Sequence, residues 1–137
     1  MNNLNKSILG GIVGTAVMTM VIFLAPMMGM PKMSPPDMLA GMLGMPVIVG
    51  WIMHFMIGII FAFIYTNFFA SSITIDNIYV KGACFGVTVF IFAQIVMAII
   101  GAMMPMAKPE GSMMMMLMGS LLGHIIYGMG VSKTVNQ

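Results

Sequence analysis

Long uncharged stretches separated by a few charged residues dominate the pattern of this 137-residue chain. Each stretch is longer than the roughly 20 residues that an α-helix needs to cross a hydrocarbon core of about 30 Å. The pattern therefore predicts four membrane-spanning helices, over residues 8–28, 47–69, 80–104 and 112–131. The charged residues that bound the uncharged stretches are Lys6 and Lys32, Asp37 and Asp76, Lys81 and Lys108, and Glu110 and Lys133.

Composition places residues 1–137 in a single membrane domain of the all-α class. Hydrophobic residues make up 61% of the chain and charged residues 6%, whereas soluble domains carry about 25% charged residues. The lipid bilayer is therefore the first predicted partner. A formal net charge of +2 without a run of basic residues argues against nucleic acid as a partner.

Three short motifs occur twice in the same order, which predicts a duplicated two-helix unit. We expect a four-helix bundle in which repeat one, residues 6–70, and repeat two, residues 78–133, are related by a pseudo-twofold axis along the membrane normal. The glycine pairs that open the first and third spans would let those spans approach closely, within the bundle or between copies. The paired motifs are Gly10 and Gly14 with Gly82 and Gly86, MMGMPK with MMPMAK, and His54 and Gly58 with His124 and Gly128.

Repeat one is six residues longer than repeat two, since His54 follows Lys32 by 22 residues and His124 follows Lys108 by 16, and the extra residues fall around SPPDMLAGMLGMP. Ser34 supplies a helix N-cap, Pro35 a favourable first-turn residue and Asp37 the acid of a capping box. Gly44 and Pro46 then end the helix. The pattern predicts a short helix on the outer surface of the membrane, opposite the termini.

His54 and His124 are the two histidines of the chain, and both fall inside predicted spans. An ionisable side chain within a membrane is a candidate functional group, and Gly58 and Gly128 leave a gap one turn away from each ring. One interpretation is that each imidazole makes a hydrogen bond across a helix interface that glycine allows to close. The other is a cofactor site between spans 2 and 4, where both imidazoles ligate the iron of haem b or another metal.

Methionine accounts for 22 of the 137 residues, and most of these lie at the membrane surface opposite the termini. Thioethers are soft ligands that suit Cu(I), so they form a candidate site for copper handling or transport. Methionine is also a flexible apolar residue that fills irregular gaps, and packing is the alternative. The candidate metal ligands are Met27, Met28, Met30, Met103, Met104 and Met106, with Met33 beside the first group.

The sequence contains no pattern typical of an enzyme. All three acids fall between the predicted spans, and the chain has no arginine. A nucleophile needs a base within hydrogen-bond reach, and only the two histidines qualify. We therefore predict no catalytic residues, and a non-catalytic accessory or scaffold module of a membrane complex or a homo-oligomer.

Beyond the histidines, we expect four polar side chains to be buried within the spans, namely Thr15, Thr19, Thr88 and Gln94. Threonine hydroxyls in helices usually donate to the carbonyl of the preceding turn, so Thr15, Thr19 and Thr88 are interpreted as structural. Gln94 is different, because a mid-span amide needs an interhelical partner. That partner is a histidine of the same chain or a group of a neighbouring subunit.

An even number of spans places both termini on the same side of the membrane. Basic residues concentrate near cytoplasmic span ends, and the terminal side holds three lysines against two, so we expect cytoplasmic termini. Tyr65 and Tyr79 lie near that surface and fit an interfacial aromatic belt. The lysines of the terminal side are Lys6, Lys81 and Lys133, and those of the opposite side are Lys32 and Lys108.

Two segments carry a family resemblance, GGIVGTAVMTM from Gly10 to Met20 and WIMHFMIG from Trp51 to Gly58. Together they resemble the small four-span bacterial inner-membrane proteins of unknown function that are loosely YagU-like. The resemblance covers most of repeat one. It implies a helical bundle in the bacterial inner membrane and brings no reaction or ligand to this chain.

Overall fold

The computed structural model describes residues 1–103 and 111–136, and the regular secondary structure of this part of the chain is entirely helical, without strands. A 3-10 turn, Ala25–Met28, extends the first helix, and a π-helical turn, Tyr65–Phe69, extends the third. The α-helices are α1, Asn3–Leu24; α2, Pro35–Leu43; α3, Val47–Ile64; α4, Ala70–Ser72; α5, Ile78–Met103; and α6, Met113–Val135.

Four helical segments are long and apolar enough to cross a membrane, which confirms the four predicted spans. They are Asn3–Met28, Val47–Ser72, Ile78–Met103 and Met113–Val135. The protein is therefore a multi-pass membrane protein. The fourth segment continues beyond the predicted end at residue 131, because Lys133 sits in its last turn, where a cation interacts favourably with the helix dipole.

The segment SPPDMLAGMLGMP contains the short helix α2, as predicted. Ser34 occupies the N-cap position without a side-chain capping bond, and Gly44 ends the helix in a left-handed conformation at φ 61°. A β-carbon on Gly50 of α3 would collide with the Pro36 carbonyl, so the glycine lets the backbones of α2 and α3 touch. α2 is therefore packed onto the first turn of α3.

The four spans form a ring in the order α3, α1, α6, α5. α1 packs against α3 and α6, and α6 packs against α5. α3 and its π-helical extension meet α5 through aromatic pairs, in which the ring centroids of Tyr65 and Phe85 are 5.0 Å apart. The ammonium group of Lys6 donates to the Val135 carbonyl at 2.9 Å, which places both chain ends at the same end of the bundle.

Both glycine pairs pack against α6. A β-carbon on Gly10 or Gly14 would meet α6 atoms within 3.1 Å, and one on Gly82 or Gly86 would meet the α6 backbone more closely still. Spans 1 and 3 therefore approach a shared neighbour within the described bundle. α6 is the helix that holds the two hairpins together.

Tyr65 was predicted to lie in an interfacial aromatic belt, and that prediction is wrong. Its side chain is 0% exposed and belongs to the central core. The phenolic hydroxyl finds a hydrogen-bond partner inside the bundle, so the ring does not need the membrane surface. Tyr79, at the start of α5, is 43% exposed, as the prediction requires.

Candidate functional site

Buried polar side chains mark the places where this apolar bundle departs from simple packing. In lipid a polar group must find an internal partner, because no water is present to hydrogen-bond with it. The buried polar side chains fall into two groups, one around His54 and one at the terminal end of the bundle. Within the described residues they are Ser7, Thr15, Thr19, His54 and Ser132.

His54 lies on the inner face of α3 with 8% of its surface exposed. Its Nε2 atom is 2.9 Å from the hydroxyl oxygen of Thr19 on α1. The Thr19 hydroxyl carries one hydrogen and donates it to the Thr15 carbonyl at 2.7 Å. The imidazole is therefore the donor in the contact with Thr19, and Nε2 carries a hydrogen.

Gly58, one turn further along α3, lies in close contact with α1. A β-carbon there would collide with the Thr15 hydroxyl, and the Gly58 carbonyl accepts a hydrogen bond from the Tyr127 hydroxyl at 2.5 Å. The Thr15 hydroxyl is buried and has no partner within the described ranges, so the prediction that it bonds back to its own helix is wrong. We refer to Thr15, Thr19, His54, Gly58 and Tyr127 as the histidine–threonine cluster.

His124 has a different environment. It is half-buried on α6, and its Nδ1 atom is 2.7 Å from the Ser120 carbonyl one turn earlier on the same helix. A carbonyl only accepts, so Nδ1 carries the hydrogen and Nε2 keeps its lone pair. The ring packs edge-on against Phe90 of α5, with centroids 5.8 Å apart.

The two glycines next to the histidines do not leave empty space for a ligand. The Thr15 hydroxyl lies beside Gly58, and the Gly82 carbonyl lies beside Gly128. Neighbouring helices therefore fill the space beside these glycines, where the sequence analysis would have placed the edge of a haem. Because the His54 Nε2 already donates a hydrogen bond, ligation through that atom would require a change of tautomer. Haem binding by His54 and His124 stays a prediction.

The structure separates the methionines proposed as metal ligands. Met27 and Met28 are each 84% exposed and Met103 is 77% exposed, whereas Met104 and Met106 lie outside the described residues. Met30 points inward together with Met33. Their sulfur atoms lie 3.9 and 3.3 Å from the point where a β-carbon of Gly119 would stand, so two thioethers converge on α6.

Harder metals have no comparable site in residues 1–103 and 111–136. No group of three or more histidine, cysteine or acidic side chains comes together there. Cys84 is exposed on α5. Among the residues predicted to form a site, the histidine–threonine cluster and the paired thioethers of Met30 and Met33 are the ones that the described structure brings together.

The comparison with known families covers the entire chain. The model of a family of unknown function, DUF6789, matches residues 1–137. The chain belongs to the DUF6789 family. No curated protein and no solved structure matches it. The likeness to YagU-like proteins and the bacterial origin that it implied stay predictions.

A second polar cluster of this DUF6789 protein lies at the terminal end of the bundle. The Ser132 hydroxyl donates to the Ile78 carbonyl at 2.7 Å, so the Tyr65 hydroxyl must donate to Ser132 Oγ, 2.6 Å away. These contacts join α6, α5 and the π-helical turn after α3. The sequence contained one signal for this cluster, since Tyr65 lies two helical turns beyond Gly58 and shares its stripe.

Proposed function

We propose that this DUF6789 protein is a non-catalytic module of membrane assemblies that pairs with a second copy through α5. Gln94 is the observation that carries the proposal. It is half-buried in the middle of the α5 span, and its side-chain amide has no hydrogen-bond partner in the described part of the chain. An unpaired amide is costly in hydrocarbon, so a partner from outside the chain is favoured.

The packing of α5 supports an external partner. Only 17% of the most apolar stretch of α5 is buried inside the bundle, whereas 39% of the corresponding stretch of the α1 span is buried. Its buried residues, Gly82, Phe85, Gly86 and Val89, all precede Gln94. The second half of α5 therefore offers its surface to other molecules in the membrane.

The Gln94 face of α5 suits close helix contact. Residues spaced three, four and seven positions apart share one helical face, and small side chains on that face allow two backbones to approach. Four of the six neighbours of Gln94 at these spacings are exposed, namely Val87, Ile91, Ala98 and Gly101, and the other two, Phe90 and Met97, are half-buried.

A second copy of the chain satisfies the amide by symmetry. A glutamine side chain carries both a donor and an acceptor, so two Gln94 amides related by a twofold axis can exchange hydrogen bonds. Both copies lie in the membrane with the same orientation, which a twofold axis along the membrane normal preserves. Such an interhelical pair contributes about 1 kcal/mol.

Cross-linking in native membranes tests the pairing. In a Cys84→Ala background, Ala98→Cys is expected to form a disulfide-linked dimer on oxidation, because identical residues on the Gln94 face lie opposite one another. Gln94→Leu should weaken association about fivefold. Thr88→Val is the matched control, since the Thr88 hydroxyl donates to the Cys84 carbonyl of its own helix. A monomer at all protein densities, or equal dimer yield with Gln94→Leu, would refute the proposal.

The non-catalytic assignment draws on the histidine–threonine cluster. Thr19 and His54 resemble a nucleophile and a base at 2.9 Å, but the hydroxyl hydrogen goes to the Thr15 carbonyl and the ring donates to the hydroxyl. A general base must instead accept that hydrogen. We therefore assign the pair an architectural role, as the polar contact that aligns α3 with α1.

The proposal includes an origin of the two hairpins by duplication. Gly58 of α3 packs at Gly11 and Thr15 of α1, and Gly128 of α6 packs at Gly82 and Gly86 of α5. These contacts support equivalence between the hairpins. They also favour Gly11 as the counterpart of Gly82, in place of the Gly10 that the motif alignment pairs with it.

We infer that the chain ends of this protein face the cytoplasm of a bacterium, with the bundle in the inner membrane. Three lysines near the terminal end, Lys6, Lys81 and Lys133, support this orientation. A reporter that is active only outside the cytoplasm, fused after residue 137, should stay silent. Activity of that fusion would reverse the orientation.

Cu(I) handling is the second candidate function, and the convergence of Met30 and Met33 beside Gly119 favours it. Two thioethers at one place are soft ligands of the kind that Cu(I) takes. Purified protein loaded with Cu(I) should lose bound copper when both residues become leucine, a swap that preserves volume. The matched control converts the exposed Met27 and Met28 to leucine. Unchanged copper content in the first variant would leave packing as the role of these side chains.

A further inference from the structure

An open groove of about 520 Å³ runs along the outer face of α6. α1 forms one wall, and Tyr79 at the start of α5 lines the groove near the terminal end of the bundle. From Ile126 to Lys133 the groove follows α6 for seven residues, which is about 10 Å along a helix. The residues of α1 and α6 that line its apolar part are Leu9, Val13, Val17, Ile126, Met129 and Gly130.

The polar end of the groove carries a cation. Lys133 lines it together with Tyr79 and Thr134, and Lys133 makes no hydrogen bond or ion pair with any residue that the structure describes. The other two lysines of this end differ, because Lys6 donates to the Val135 carbonyl and Lys81 to the Ala70 carbonyl. The groove is therefore apolar within the membrane and positively charged at the interface.

We propose that this groove binds one anionic phospholipid, with an acyl chain along α6 and the phosphate beside Lys133. The apolar lining matches a hydrocarbon chain, and the charge at the mouth complements the phosphodiester. A lysine near the membrane surface attracts anionic lipid about fivefold over zwitterionic lipid. Tyr79 lies at the headgroup level, where tyrosine rings are favoured.

Quenching of a single tryptophan by brominated lipids tests the site in reconstituted vesicles. In a Trp51→Phe background, Val17→Trp places the reporter at the inner end of the groove, at a position that is 37% exposed. Ile60→Trp places the control reporter on the lipid-facing surface of α3, at 55% exposure. Brominated phosphatidylglycerol should quench the groove reporter at about one fifth of the concentration that brominated phosphatidylcholine requires. The control reporter should be quenched equally by the two lipids.

Substitutions of the lysine separate the phosphate contact from general attraction of the protein for anionic lipid. Lys133→Gln should remove the preference at the groove reporter, and Lys133→Arg should retain it. Lys32→Gln removes the same charge at the opposite end of the bundle and should leave the preference unchanged. Equal quenching by the two lipids, a preference that survives Lys133→Gln, or shielding of the groove reporter from both lipids by a second copy of the chain would each overturn the proposal.

Discussion

Gly58→Ala places a methyl group where the Thr15 hydroxyl lies. The neighbouring atoms cannot move aside easily, because Thr15 is 1% exposed and sits at the contact of α1 with α3. Gly58 also presents its carbonyl to the Tyr127 hydroxyl. A shift of α3 away from α1 would therefore disturb the histidine–threonine cluster as a whole.

Two opposing terms set the size of the effect. Forcing an extra carbon into a packed interface costs about 1–3 kcal/mol, and replacing glycine by alanine within a helix returns up to about 1 kcal/mol. We expect Gly58→Ala to lower the free energy of unfolding by about 1–2 kcal/mol. The colliding atom is the Thr15 hydroxyl oxygen, which has no hydrogen-bond partner among the described residues, so its removal breaks no bond.

A double-mutant cycle isolates this contact. Thr15→Ala removes the obstructing hydroxyl, and the pair Gly58→Ala with Thr15→Ala should regain about 1 kcal/mol relative to the sum of the single changes. The double variant should not recover all of the lost stability, because the Thr15 Cβ atom, which alanine keeps, lies 3.2 Å from the new methyl position. Unfolding of the purified protein in mixed detergent micelles, followed by circular dichroism, measures each corner of the cycle.

Gly41→Ala is the control, since no atom beyond the nearby backbone of its own helix lies within 4 Å of the position that its methyl group would take. It should leave the protein unchanged or slightly stabilised. The reasoning fails if Gly58→Ala proves as harmless as Gly41→Ala. It also fails if Thr15→Ala gives no relief, because the collision would then lie elsewhere.

Three further changes probe the other contacts in the same unfolding assay. Gly128→Ala should lower the free energy of unfolding more than Gly58→Ala does, because its methyl group would collide with backbone atoms of α5, which no side-chain truncation can remove. A smaller loss of stability than that of Gly58→Ala would contradict this prediction. Thr19→Val should destabilise by about 1–3 kcal/mol by leaving the buried His54 ring unpaired, and a neutral result would dismiss the hydrogen bond. Tyr65→Phe should cost about 1 kcal/mol, whereas Tyr79→Phe on the exposed surface should cost nothing measurable.

The spans and α2 were predictable because each depends on a one-dimensional property of the sequence. An uncharged run of sufficient length must cross the membrane as a helix, since only intrahelical hydrogen bonds satisfy its backbone there. The helix α2 follows from prolines that fit the first turn and a glycine that adopts φ 61° at the end. Neither inference requires knowledge of which helices are neighbours.

The contacts at the candidate site were less predictable because they depend on the order of helices around the ring. The glycine pairs identified sites of close approach, but α6 as the shared neighbour emerges only from the packing. Similarly, Thr19 bonds back to its own helix as predicted, while its role as acceptor for His54 needs α1 and α3 side by side. The position of Tyr65 was predicted wrongly because the hydroxyl of a tyrosine near a span end can find a hydrogen-bond partner either at the membrane surface or on an internal serine, here Ser132.

Unequal surroundings of the two histidines bear on every function that treats them as a matched pair. Duplication at the offset favoured by Gly11 and Gly82 pairs Thr19 with position 90, which is a phenylalanine. His54 thus has a hydroxyl across the interface, whereas the counterpart ring at His124 meets Phe90 and bonds to its own helix. The His54 ring therefore has its free lone pair on Nδ1, whereas the His124 ring has its free lone pair on Nε2. A symmetric ligand such as haem iron would meet two different nitrogens, so any shared cofactor must first reorganise the contact between α1 and α3.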